Sequence, residues 1–118
     1  MNRVFIVAEA GVNHNGSLRV AKKMIEVAAA AGCDAIKFQT FRAENIVTKN
    51  ASKTRYQIDN TDAGESQYEM LKKLELSPAN HEELFSFCLK KKIMFMSTPF
   101  DEKSVDLLDN LGVRMFKV

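Results

Sequence analysis

A carboxylate, two amines and an amide are the groups in this sequence best placed to do chemistry. Glu9 closes the apolar run Val4 to Ala8. Lys37 sits between Ile36 and Phe38, with Gln39 and Thr40 behind it, and Lys117 sits between Phe116 and Val118. A lysine inside an apolar strand of a parallel sheet needs an anionic partner, from the protein or from a ligand. Two such lysines suit a phosphorylated carboxylate, although a strand lysine can also form a Schiff base with a carbonyl substrate. Glu9 has three uses: partner for a lysine, general acid or base, or anchor for a polyol hydroxyl. The polar loop that follows holds Gly11, Asn13, His14, Asn15, Gly16 and Ser17. Its amides and histidine serve equally as turn-formers and helix caps or as rim groups of a site. His14 has no second ligand at metal-binding spacing. Ser97-Thr98-Pro99-Phe100 reads as a structural strand-to-helix turn.

Short alternating elements must position these groups. Val4 to Ala8 is expected as a fully buried first strand, being short, apolar and β-branched. Ser17 caps a helix in which Leu18, Ala21, Met24, Ile25, Ala28 and Ala29 recur at helical spacing, and Gly32 ends it. Ala35, Ile36 and Phe38 form a second strand. Phe41 to Gln67 is a polar excursion without a sustained period, followed by a short helix at Tyr68 to Leu74. Ser77-Pro78 opens a helix with a cap residue and then proline; Leu84, Phe85, Cys88 and Leu89 are its expected apolar stripe. Ile93 to Met96 is a third strand. Asp101 caps a last helix with Val105, Leu108 and Leu111 facing inward, ended by Gly112. Val113 to Val118 begins a fourth strand. Strands alternating with helices imply a parallel sheet with right-handed crossovers, with strands one and two about 30 residues apart. In such folds the βα loops converge at the C-terminal ends of the strands. Glu9, Lys37, Gln39, Thr40, Ser97, Thr98 and Lys117 all fall toward that rim. One rim fed by four strands is harder to explain by packing than any one of these residues alone.

Composition narrows the classes. The chain has 118 residues, 46% hydrophobic and 27% charged, enough for one domain with a real core. A net charge of +2, from 17 basic and 15 acidic residues, leaves no nucleic-acid footprint. Lys90-Lys91-Lys92, the densest cationic run, suits the C-terminal dipole of a helix. Cys33 and Cys88 form no CxxC and no Cys/His cluster and sit among apolar residues, so buried free thiols in a reducing cytoplasm are expected. No apolar run reaches membrane-span length, and the chain is expected to enter its first strand at once, with no signal peptide. The turn after strand one lacks the G-x-G-x-x-G of a dinucleotide fold, which weakens that form of open sheet. A response-regulator-like or flavodoxin-like domain would want an acidic cluster there, and only Glu9 is present.

Taken together, "AEAGVNHNGS", "AIKFQTF", "STPFD" and "MFKV" closely resemble the N-acetylneuraminate (sialic acid) synthase family, which includes legionaminate, pseudaminate and spore-coat polysaccharide synthases. The motifs run in order over nearly the whole chain, the first two being the more specific. The resemblance implies α/β architecture, with parallel (β/α) units forming the first half of a TIM barrel. Residues 1–118 would then be the N-terminal portion of a synthase domain, cut within strand four. It implies condensation of phosphoenolpyruvate with an N-acetylated amino sugar such as N-acetylmannosamine, with release of phosphate. Mn2+ or Mg2+ would act as Lewis acid, held by histidines on later strands outside this chain. A cytoplasmic homodimer is implied as well. Glu9 would handle a proton or orient the acceptor, Lys37 and Lys117 would hold the phosphate and carboxylate, and Gln39 would reach acceptor hydroxyls. Asn13 and His14 would shape the cavity floor and rim, and Asn60 is the nearest candidate for a further sugar contact. The competing reading is a non-catalytic half-barrel that self-associates, or a module that retains only the anion pocket.

Overall fold

The helix starts follow the local chemistry of the sequence. In the computed structural model, which describes residues 3–47 and 66–118, β1 (Val7–Gly11) leads through the polar loop into α1 (Leu18–Ala30). The Ser17 side chain accepts the Val20 N–H at the start of α1, and Gly32 takes φ +85° just beyond its end. β2 (Ala35–Thr40) is followed by a 3-10 turn at Ala43–Asn45. α2 (Gln67–Leu74) begins with a capping box between Ser66 and Glu69. α3 (Pro78–Lys91) has Ser77 as its cap, with proline in the first turn. β3 (Met94–Pro99) then leads to α4 (Glu102–Leu111), capped by Asp101 and closed by Gly112.

The three strands form one parallel sheet in the order β1-β2-β3. Ala8 lies beside Ile36, which lies beside Phe95; Glu9 lies beside Lys37, which lies beside Met96. A register shift interrupts the β1–β2 ladder between Glu9 and Gly11. Helices cover one face of the sheet. Ile25 and Ala28 of α1, Leu84 and Cys88 of α3, and Leu108 of α4 close over Ile36, Phe38 and Phe95. The Phe38 and Phe95 rings stack with centroids 5.4 Å apart. Side chains alternate along each strand, so the other face carries Glu9, then Lys37 and Gln39, then Met96 and Thr98.

Several expectations need correction. The first strand is not fully buried among the described residues: Val4, Phe5, Ile6 and Val7 are exposed, and β1 pairs there with β2 alone. It also starts later than expected, so Glu9 lies within it. The stripe of α3 is His81, Leu84 and Cys88, while Leu89 is 65% exposed. On α4, Ser104 and Leu108 are buried and Val105 faces out. The expected fourth strand contributes one rung, a parallel bridge from Phe116 to Ser97 with the Lys117 N–H on the Ser97 carbonyl at 3.0 Å. Most of the polar excursion, Asn60 included, lies outside the described residues.

Candidate active site

Strand alternation sends Lys37 and Gln39 out of the uncovered face of β2, and the neighbouring strands supply what surrounds them. Lys37 Nζ sits 2.8 Å from Glu9 Oε2 across the β1–β2 pair, and 3.4 Å from Thr98 Oγ1 across the β2–β3 pair. The lysine side chain is only 15% exposed, whereas that of Glu9 is 55% exposed. The ammonium is thus held low against the sheet, and the carboxylate is its route to water. An ammonium in this position needs its counter-charge, since dehydration of a lone cation is costly.

Backbone shape decides where the carboxylate points. Gly11 takes φ +55°, and a Cβ on it would stand 3.1 Å from Glu9 Oε1 and 3.8 Å from Gln39 Nε2. The glycine therefore leaves a gap between carboxylate and amide, in a backbone region that L side chains rarely adopt. One carboxylate oxygen is occupied by Lys37 and the other faces this gap. A substrate anion competing for Lys37 would free the carboxylate to accept a proton or a hydroxyl.

The remaining sequence candidates separate. Lys117 follows Phe116, which packs on the covered core, so alternation assigns Lys117 to the same face as Lys37. Its ammonium donates to the Val118 carbonyl at 2.9 Å. Asn13 is exposed in the loop, its N–H on the Ala10 carbonyl. The structure does not bring His14 to the lysine. Its ring is fully buried on the helix-covered side, 6.1 Å from Phe38 between centroids. Nδ1 accepts the Gly16 N–H at 2.9 Å, which leaves the proton on Nε2. That nitrogen is buried without a partner among the described residues. Burial holds the His14 pKa below its usual value, with the neighbouring His81 adding to the effect.

The motif-based reading placed Thr98 at the rim without giving it a role, and did not single out His81. Thr98, read as part of a turn, is a strand residue that receives the Lys37 ammonium. Its signal was the two-residue spacing from Met96 on the Lys37 face. His81, three residues before Leu84 on the α3 stripe, is buried beneath the rim. There Thr40 Oγ1 lies 2.9 Å from His81 Nε2 and 2.6 Å from Ser97 Oγ.

Among the described residues no three His, Cys, Asp or Glu side chains gather as metal ligands. The described side chains do not make a site for the divalent ion the resemblance implies. No helix among them is long and apolar enough to cross a membrane.

Comparison with known proteins points one way. The profile of the NeuB family matches residues 24–118. The chain is 51% identical over 118 residues to the N,N'-diacetyllegionaminic acid synthase of Campylobacter jejuni, covering 100% of this chain and 35% of that protein. It is 50% identical over 114 residues to the enzyme of the same name from Legionella pneumophila, covering 97% of this chain and 32% of that protein. The crystal structure of N-acetylneuraminic acid (sialic acid) synthetase from Leptospira borgpetersenii in complex with citrate superposes with a TM-score of 0.79 at 34% identity. The match covers 99% of this chain and 36% of that one. The chain thus spans about a third of the length of the relatives it matches, and its parallel βα units are those of the TIM-barrel synthases.

Proposed function

The chain belongs to the NeuB family, and on that premise we propose that it is the N-terminal part of a synthase joining phosphoenolpyruvate to an N-acetylated amino sugar. The observation that carries the reading is the Glu9–Lys37–Thr98 cluster on the uncovered face of the sheet, with Gln39 beside it and Lys117 on the same face. Such a face offers cations for an anionic substrate and a carboxylate for proton handling. The reaction forms a bond between C3 of phosphoenolpyruvate and the aldehyde carbon of the open-chain sugar. The aldehyde oxygen takes up a proton and becomes a hydroxyl. Water adds at C2, and the C2–O bond to phosphate then breaks. Lys37 and Lys117 hold the phosphate and carboxylate and stabilise negative charge as it moves from the enol phosphate to the leaving group. Glu9, once displaced from Lys37, is the proton carrier or the anchor for an acceptor hydroxyl. Gln39 binds acceptor hydroxyls. We place the ligands of the divalent ion outside the described residues, and no step here is routed through it.

The relatives' product narrows the acceptor. Phosphoenolpyruvate contains no nitrogen, so an N,N'-diacetylated product takes both acetamido groups from the sugar. On the likeness to those synthases we therefore propose a diacetamido hexose as acceptor, with N-acetylmannosamine as the alternative. The test supplies the full-length polypeptide with phosphoenolpyruvate, Mn2+ and either N-acetylmannosamine or a diacetamido hexose. Phosphate release coupled to a nine-carbon keto acid is expected with one of them. No release with any N-acetylated hexose would sink the reading. A concentration-dependent dimer without phosphoenolpyruvate binding would favour the self-associating scaffold instead.

A further inference from the structure

We infer that His81, on the helix-covered side of the sheet, is a positioning residue for the substrate site on the opposite side. This inference rests on the function proposed above. The Ser77 carbonyl can only accept, so the His81 Nδ1 that lies 2.9 Å from it carries the proton. His81 Nε2 is then bare and accepts the Thr40 hydroxyl proton at 2.9 Å. With its proton committed, Thr40 Oγ1 accepts from the Ser97 hydroxyl at 2.6 Å. The relay is therefore directional, with one arrangement of protons for neutral His81. All three side chains are buried: His81 1%, Thr40 2% and Ser97 0% exposed. Burial pushes His81 toward that neutral form.

Both ends of the relay are anchored. Ser77 caps α3, its carbonyl accepting the His81 backbone N–H as well and its hydroxyl accepting the Asn80 N–H. Ser97 lies beside Phe116 in the sheet, and its carbonyl takes the Lys117 N–H at 3.0 Å. Each hydroxyl in the relay has a strand neighbour on the other face. Thr40 follows Gln39, and Ser97 precedes Thr98, which receives the Lys37 ammonium. One chain of hydrogen bonds thus fixes the ends of β2 and β3, together with the single rung that seats Lys117. Those three points carry Gln39, Thr98 and Lys117. Because buried polar groups left without partners are costly, the relay resists displacement of any of them.

The test removes the middle hydroxyl without changing shape. In the full-length protein, Thr40→Val should raise KM for phosphoenolpyruvate about tenfold, the scale expected for sub-ångström misplacement of binding groups. Thr40→Ser restores the hydroxyl and should return KM toward the wild-type value. A purely structural role gives a different signature: a smaller folded fraction lowers apparent kcat in proportion and leaves KM unchanged. Unchanged KM in Thr40→Val would overturn the inference. If Thr40→Val does not fold, Ser97→Ala removes only the last hydroxyl and should raise KM in the same direction; an unchanged KM there overturns the inference too. If the wild-type protein releases no phosphate, the failure belongs to the proposed function. The relay is then judged by amide exchange at Gln39, Thr98 and Lys117. Faster exchange at these amides in the hydroxyl-deleted variant, without a matching rise at core amides such as Ile36, upholds it; equal exchange, or a uniform rise across the sheet, overturns it.

Discussion

The two faces of the sheet put the same strands to opposite uses. On β2, Ile36, Phe38 and Thr40 turn toward the helices and are essentially inaccessible, while Lys37 and Gln39 turn away and stay partly open. The hydroxyls and His81 nitrogens beneath the rim on the covered face are satisfied by one another or by the backbone. The uncovered face instead carries an ion pair whose carboxylate is more than half exposed, an arrangement an incoming anion can reorganise. The difference teaches that burial fixes polar groups as scaffold where helices cover them, and leaves them exchangeable where no described element does.

The sharpest way to break this contrast is to mutate adjacent residues of β2. Phe38→Ala should lower stability by about 3–5 kcal/mol, because it removes a fully buried ring and leaves a cavity in the helix-covered core. Chemical denaturation of the full-length protein measures it. Lys37→Ala should instead lower kcat/KM for phosphoenolpyruvate on the order of 10²-fold, with a much smaller change in denaturation midpoint. Equal stability losses from the two would erase the distinction between the faces.

Acidity should find the covered face next. Burial lowers the pKa of both His14 and His81 below the usual 6.5. The unfolded chain therefore binds more protons than the folded one once the pH drops below about 6.5. Their stabilising contribution is full above that value and is lost as the pH falls toward the depressed folded values, by up to about 1.4 kcal/mol per pH unit for each histidine. Denaturation midpoints at pH 7.5 and 5.5 should fall accordingly, and His81→Gln should flatten the slope. The smallest effect is chemical. Burial pushes the Cys88 thiol up to about 12, whereas Cys33 is only half-buried. An alkylating reagent at pH 8 should modify Cys33 and spare Cys88 in the folded protein.

Much of the framework was legible because it depends on near neighbours in the chain. Ser17, Ser77-Pro78, Asp101, Gly32 and Gly112 mark helix ends through bonds and dihedral angles within a few residues. Faces were less legible. Leu89 and Val105 have core composition yet lie in solvent, and His81 and Ser104 are buried in their place. Hydrophobicity identifies a helix stripe only once the neighbouring element fixes which side is covered. The apolar run of the first strand likewise does not show which elements cover it; among the described residues only β2 pairs with it.

By itself the sequence determined the order of elements, their parallel arrangement and the gathering of Glu9, Lys37 and Gln39 toward one rim. These follow from periodicity, caps and strand polarity, all local properties. Only the tertiary structure decided which of the adjacent Ser97 and Thr98 faces the helices and which receives Lys37. It alone decided that His14 is buried beside Phe38 and that a helix histidine completes a relay between two strands. Those outcomes depend on strand register and helix placement, where a shift of one residue sends each side chain to the other face.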